Sequence, residues 1–329
     1  MAYALIPRTI TGVIHTAGAS TAVITMSAPL IADDVNADTI AAVSSSIFDD
    51  YNNAAGTEAM TIELSSQCPT SPVSIQLNEP SGSTYIMDTQ NVLYGAVNGG
   101  AATLTGSAYS GDGSTKYITF TGNNSCLQAT TALTIETRIK PTGITADTTN
   151  YITRIFARNY NNNYNYQMSV WRNNSAYPGL YTAPAGQTSI ALWLLTNGTT
   201  TWKPVLTNYT GAKTGSENDC PIVSDHWYQI KAVWNTNKPG GIIGQYFQPA
   251  DIYIEDQGTD GNGLGKNWTG LINCTDTDQS LKTDSVKFFT NDQITSGSGS
   301  FAIGANKDTQ TNLRFNGLID WITWKDTVD

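Results

Sequence analysis

The clearest pattern in the chain is "LTIETRIKP" (residues 133–141), where Leu133, Ile135 and Ile139 alternate with Thr134, Glu136, Arg138 and Lys140. A period of two is that of a strand with one face in a core and the other in water. Similar short runs follow or flank it: "KYITFT" (116–121), "YITRIFA", "YQMSVW", "SIALWLL", "HWYQIKAVW", "DIYIED", "FAIGA" and "GLIDWITW". Gly, Asn and Asp turns separate them, and strands at this density predict an antiparallel sandwich. The segment "ARNYNNNYNYQMSVWRNN" (157–174) fits the same plan. Tyr164, Tyr166, Met168 and Val170 share one parity and Asn165, Gln167, Ser169 and Trp171 the other, so its second half is a strand. The preceding "RNYNNN" is a hairpin connection, because asparagine tolerates the positive φ of such turns.

The first hundred residues read differently. "TAVITMSA" (21–28) alternates, but "DTIAAVSSSIFDDYNNAAG" sets Ile40, Val43, Ile47, Phe48 and Tyr51 at helical spacing behind a cap candidate, Asp38, with Gly56 near the end. "AMTIELSS" and "PVSIQLNE" follow as strands, which makes a small α+β module. "YGAVNGGAATLTGSAYSGDG" is the most Gly- and Ala-rich stretch, and it places a boundary near residue 100. The expected domains are therefore 1–100, a small α+β anchoring module, and 101–329, a β-sandwich.

Composition narrows the partners. The net charge of −10 and pI of about 4.6 repel phosphate backbones, so nucleic acid is not expected as a partner. No run approaches the roughly 20 apolar residues that cross a bilayer, so membrane insertion is not expected, and "MAYALIPRTITGVIHT" lacks the pattern of a secretory signal. The four cysteines, Cys68, Cys126, Cys220 and Cys274, have no zinc-ligand spacing. Cys220 and Cys274 pair if their strands meet; without an export signal, isolated buried thiols are the favoured expectation.

Four motifs in order resemble the laminin-G-like and concanavalin-A-like jelly roll: "GDGSTKYITFTGNNSCLQATTALTIETRIKPTG", "DHWYQIKAVWN", "ADIYIEDQGTDG" and "FAIGANKDTQTNLRFNGLIDWITWKD". The resemblance covers about residues 100–329 and implies a sandwich fold. It leaves function open, because the same fold carries lectins, glycosidases and structural modules. It also implies a calcium site near one edge, with Asp112 and Asp320 as the candidate ligands. The structural alternatives are a Gly-Asp-Gly turn for Asp112 and a carboxylate capping a strand bend for Asp320.

Catalysis is not expected. A retaining glycosidase needs two carboxylates about 5–5.5 Å apart, and no Glu-x-Asp-x-x-Glu motif occurs. Glu255 and Asp256 are adjacent, so as strand residues they point to opposite faces. His226, beside Trp227 at a strand start, reads as structural. Sugar binding calls for aromatic rings backed by Asn, Asp and Gln. The glycan candidates are Tyr160, Tyr164, Tyr166, Trp171, Trp202 and Trp268, rings in or near loop-like sequence.

These observations lead to one functional expectation: a non-enzymatic virion structural protein, such as a bacteriophage capsid decoration, fibre or tail component. It would sit on the virion surface, hold other virion proteins through residues 1–100, self-associate into a homo-oligomer and present a lectin-like sandwich to a cell-surface glycan. The alternatives are a cellular surface lectin or adhesin in an extracellular setting and, behind it, a glycoside hydrolase.

Overall fold

The computed structural model describes residues 10–15, 22–26, 39–41 and 59–61, then 71–79, 81–90, 93–99, 108–120, 127–144, 150–158, 165–173, 188–197, 202–207, 220–239, 242–243, 246–261, 270–275, 287–295, 301–305 and 314–328. The chain divides into two compact units, Met1–Gln67 and Cys68–Asp329. The first contains two antiparallel hairpins. β1 (Ile10–His15) pairs with β2 (Ala22–Met26), and β3 (Thr39–Ala41) with β4 (Ala59–Thr61). The helix expected behind Asp38 therefore meets a strand at its first turn, and the rest of that segment lies outside the described residues. No helix occurs among the described residues.

The second unit is the sandwich. In chain order its strands are β5 (Val73–Gln76), β6 (Tyr85–Met87), β7 (Tyr94–Asn98), β8 (Tyr109–Asp112), β9 (Tyr117–Phe120), β10 (Ala132–Pro141) and β11 (Asn150–Arg158). There follow β12 (Tyr166–Asn173), β13 (Thr188–Leu194), β14 (Lys203–Leu206), β15 (Trp227–Asn235) and a short hairpin of β16 (Ile242–Ile243) and β17 (Tyr246–Phe247). The last are β18 (Ala250–Gly258), β19 (Ile272–Asn273), β20 (Phe301–Ile303) and β21 (Asn316–Lys325). A seven-stranded sheet runs β19-β18-β15-β10-β21-β5, with β8 also on β21, and an eight-stranded sheet runs β14-β13-β12-β11-β20-β9-β7-β6. Every named pairing in the two sheets is antiparallel. The expected jelly-roll sandwich is the architecture found.

The boundary lies earlier than composition placed it. β5, β6 and β7, all before residue 100, pair within the two sheets, with β5 against the second half of β21 and β8 against its first half. The Gly- and Ala-rich stretch thus begins and ends in strands of the same sandwich, β7 and β8.

Both inner faces supply one core. Val73, Ile75, Leu133, Ile135, Ile139, Ile230, Trp234, Ile252, Ile254, Ile319 and Ile322 come from the seven-stranded sheet, and Phe120, Phe156, Tyr166, Met168, Val170, Ile190, Leu192 and Phe301 from the other. Burying such side chains contributes about 1.5–3 kcal/mol each, which sets the register wherever period two holds. The middle of the eight-stranded sheet departs from that rule, because both faces of β12 and β13 are buried. Gln167, Ser169, Trp171, Ser189 and Trp193 are as inaccessible as the core residues between them. On this second face the Trp171 and Trp193 rings meet edge to face at 6.3 Å and Trp193 Nε1 donates to Ser169 Oγ at 2.8 Å.

A covalent link joins Cys220 and Cys274, 54 positions apart, with Cα atoms 5.9 Å apart. This corrects the expectation of isolated thiols. Cys274 follows β19, which pairs with β18, and Cys220 precedes β15, so a meeting of distant strands that local sequence does not reveal brings the two together.

Candidate functional site

The outward face of the seven-stranded sheet is the half-exposed surface on which polar and aromatic side chains converge. Its rows follow from register. One row carries Trp321, Arg138, Gln229 and Glu255, and the next carries Thr323, Glu136, Lys231 and Tyr253, each residue opposite its neighbour on the adjacent strand. All eight are partly accessible, while Ile135, Ile139, Ile230, Ile252, Ile254 and Ile322 point inward.

Arg138 organises one end. Its Nη1 donates to Asp320 Oδ2 at 2.7 Å, Nε to Gln257 Oε1 at 2.8 Å and Nη2 to the Gly261 carbonyl at 3.3 Å. The guanidinium lies 4.4 Å from the Trp227 ring centroid, a cation–π contact that uses the flat face left free by those in-plane bonds. Gly261 has φ +75°, and a Cβ there would fall 2.4 Å from Arg138 Nη2, so only glycine lets this loop close on the guanidinium. Next to it, Lys140 Nζ donates to the Thr259 carbonyl at 3.0 Å.

The other end holds a groove of about 380 Å³. β15 lines it with Lys231, Val233 and Asn235, and β18 with Asp251 and Tyr253. Lys238 and Pro249 close one side, and Leu271 and Val328, both exposed, form a rim. Asp251 Oδ1 accepts from Lys238 Nζ at 2.7 Å and from Asn273 Nδ2 at 3.4 Å, and Lys231 Nζ stands 3.6 Å from Glu136 Oε1. Burial, with the Asp251 charge adding to it, raises the Tyr253 phenol above its ordinary value, so its hydroxyl stays protonated and available as a donor. A ring, donors and acceptors thus line one concave surface.

The residues singled out in the sequence fare unevenly. Tyr166 is in the sandwich core, its hydroxyl donating to the Leu127 carbonyl at 2.6 Å and its ring 6.4 Å from that of Phe156. Trp171 is 2% exposed against Trp193. Trp202 is half-buried just ahead of β14. Tyr160, Tyr164 and Trp268 lie outside the described residues.

Asp112 and Asp320 are both engaged by donors of the protein itself. Asp112 Oδ1 accepts from the backbone N–H groups of Ser114, Thr115 and Lys116 at 2.8–3.0 Å, and Oδ2 from Thr115 Oγ1 at 2.5 Å. Desolvation pushes this carboxyl up, but the Thr115 hydroxyl and the three N–H groups together outweigh it and hold it well below the usual carboxylate range. These bonds are those of an aspartate closing its own turn. Asp320 already faces a cation, the Arg138 guanidinium, and among the described residues no three His, Cys, Asp or Glu side chains converge as a metal site.

Glu255 is outward and Asp256 wholly buried, as adjacent strand positions require. His226 Nδ1 lies 3.0 Å from Asp256 Oδ1, which also accepts from Gly258 N–H at 2.8 Å, and the imidazole stacks on Tyr228 at 6.3 Å. Glu255 Oε1 accepts from Gly270 N–H at 3.0 Å. The groove residues are none of those singled out in the sequence, although a signal for them exists: the outward parities of "WYQIKAVWN" and "ADIYIEDQG" place Lys231, Asp251 and Tyr253 on one face once the two strands are taken as neighbours.

No family model matches the chain, and no curated protein sequence matches it. Among solved structures it is similar to domain 4 of a GH43 extracellular arabinanase from Geobacillus stearothermophilus, in complex with arabinotriose. That match has 14% identity over 78% of this chain and 92% of that one, with a TM-score of 0.37. It is similar also to the binding domain of botulinum neurotoxin DC in complex with SialylT (12% identity, 78% of this chain, 48% of that one, TM-score 0.39). A third likeness is to a heptameric SAP-like pentraxin from Limulus polyphemus (16% identity, 61% of this chain, 68% of that one, TM-score 0.33). The architecture itself rests on the chain's own strand pairings, which make it an antiparallel β-sandwich.

Proposed function

We propose that this protein is a non-catalytic attachment module that binds a glycan in the groove on the outward face of the seven-stranded sheet. The observation that carries the reading is the groove's lining, where the Tyr253 ring stands beside Asn235, Asp251, Lys231 and Lys238 in about 380 Å³. An apolar ring face with fixed donors and acceptors around it matches the amphipathic surface of a pyranose. A binding role rather than hydrolysis is supported by Asp251 and Glu136 each facing a lysine and by Glu255 and Asp256 lying on opposite faces.

The disulfide supports display in an oxidising setting. The setting proposed is a virion surface, with the first unit, Met1–Gln67, as the attachment to other virion proteins and the sandwich as the part displayed; a cell-surface adhesin is the alternative. Detection of the protein in purified particles rather than in a cell-envelope fraction decides between them.

Glycan-array binding followed by calorimetry on the best ligand tests the site. Tyr253→Ala and Asp251→Asn should each weaken binding by about tenfold or more while circular dichroism stays that of the parent. A glycan bound equally by both variants, or no glycan bound at all, overturns the assignment.

A further inference from the structure

At the edge of the eight-stranded sheet, Lys203 and Asp292 meet beside the rings of Phe288 and Phe289. Lys203 is the first residue of β14, Asp292 lies in the turn after Phe288 and Phe289, and 89 positions separate them. Nζ stands 2.5 Å from Asp292 Oδ2, and the two side chains are 7% and 5% exposed. The amine is 5.5 Å from the Phe288 ring centroid and 5.3 Å from that of Phe289. Asp292 Oδ2 also accepts from Phe289 N–H at 3.2 Å, and its Oδ1 accepts from Asn197 Nδ2 at 2.7 Å. Asn197 is itself fixed: its Oδ1 accepts from Gln293 N–H at 3.0 Å, its own N–H donates to the Gln293 carbonyl at 2.9 Å, and its φ is 53°.

We propose that Lys203 and Asp292 form an intramolecular amide bond. Transfer of one proton from the ammonium to Oδ2, across that 2.5 Å contact, gives a neutral amine beside a neutral carboxylic acid. The amine lone pair then attacks Cγ, forming the N–C bond. Negative charge develops on Oδ1, where the Asn197 amide already donates. Collapse of that intermediate breaks Cγ–Oδ2, and Oδ2 departs as water with the proton it holds and one from the nitrogen. One amine and one acid thus give one amide and one water, with no change of oxidation state and no co-reactant. Contact enforced by the fold takes the place of an activated acyl group. Asn197 acts as a positioning residue that also polarises the carbonyl.

The intact mass of the full chain, reduced and denatured, tests this. It should be one water lighter than the sequence requires, and proteolysis should release a branched peptide joining the segments of Lys203 and Asp292. Lys203→Met should keep its full mass. Asp292→Asn should close the same amide by losing ammonia instead of water, and Asn197→Ala should accumulate the linear form, which closes more slowly on incubation. A wild-type chain at full mass that yields two linear peptides overturns the proposal and leaves an ion pair. A Lys203→Met chain that still loses water does so equally, because the loss would then come from another residue.

Discussion

The pairing of Arg138 with Asp320 decides between two roles for a carboxylate that the sequence marks as a calcium ligand. The perturbation is a double-mutant cycle of Arg138→Ala, Asp320→Ala and both together. A charge-assisted hydrogen bond contributes about 1.5–3 kcal/mol when well shielded. The two side chains are 25% and 23% exposed at 2.7 Å, so solvent screening reduces their coupling to about 1–2 kcal/mol. Arg138→Ala costs more than that coupling, because it also removes the bond to Gln257, the bond to the Gly261 carbonyl and the contact over Trp227. Its total loss is about 3 kcal/mol, against about 1–2 kcal/mol for Asp320→Ala. Urea unfolding of the four proteins, each with added calcium and with chelator, measures both terms. Stability of the wild type should be indifferent to chelation. A coupling below about 0.3 kcal/mol, within the error of additivity, refutes the clamp. A chelator-induced loss in the wild type that Asp320→Ala abolishes refutes it too, and restores the cation site.

Two other substitutions probe buried polar groups. Tyr166→Phe removes the donor from the Leu127 carbonyl inside the core and should cost about 1–3 kcal/mol in urea unfolding without altering glycan binding; a change under about 0.5 kcal/mol would place that carbonyl in contact with water instead. Glu79 has its pKa raised by desolvation, against which the backbone bonds at Glu79 and Met87 act only partly, and its buried Oε2 has no hydrogen-bond partner among the described residues. A carboxyl whose folded pKa exceeds its unfolded one contributes stability that is complete below the ordinary carboxylate range and lost as pH rises through the folded value. Glu79→Gln should therefore gain on the wild type as pH rises above the ordinary carboxylate range, and a urea-midpoint difference that stays flat with pH contradicts the assignment.

Much of the sandwich can be read in period two, since β18 alternates strictly and β10, β15 and β21 alternate over most of their length, each with one wet face. The middle of the other sheet resists that reading. Tyr166 and Trp171 have opposite parity, and alternation assigns them opposite faces correctly, but it marks neither face as dry. With both faces of β12 and β13 buried, a tyrosine that looks like a sugar platform is core, and a tryptophan that looks outward is covered. The boundary expected near residue 100 failed for a different reason. β5 has a partner, Trp321–Trp324 of β21, that lies almost the whole chain away, so nothing near residues 73–76 shows that they belong to the sandwich. Lys203 with Asp292 and Cys220 with Cys274 were hidden by the same kind of distance, whereas the groove residues, though not singled out, carry a signal in the outward parity of their own strands.

β21 also has a bearing on the order of assembly. It is the last strand in chain order, yet it occupies the interior of its sheet, with β10 along one side and β8 and β5 end to end along the other. Ser74 and Thr323, which approach across this seam at 3.5 Å, are 249 positions apart. As the chain emerges from the ribosome, β5, β8 and β10 must wait with unpaired edges until residues 316–325 arrive to join them. Closure is then a late event of high contact order, and the interval before it is when the nascent chain is most exposed to aggregation. A chain cut short before Asn316 would lose the seam of the sheet rather than trim its border.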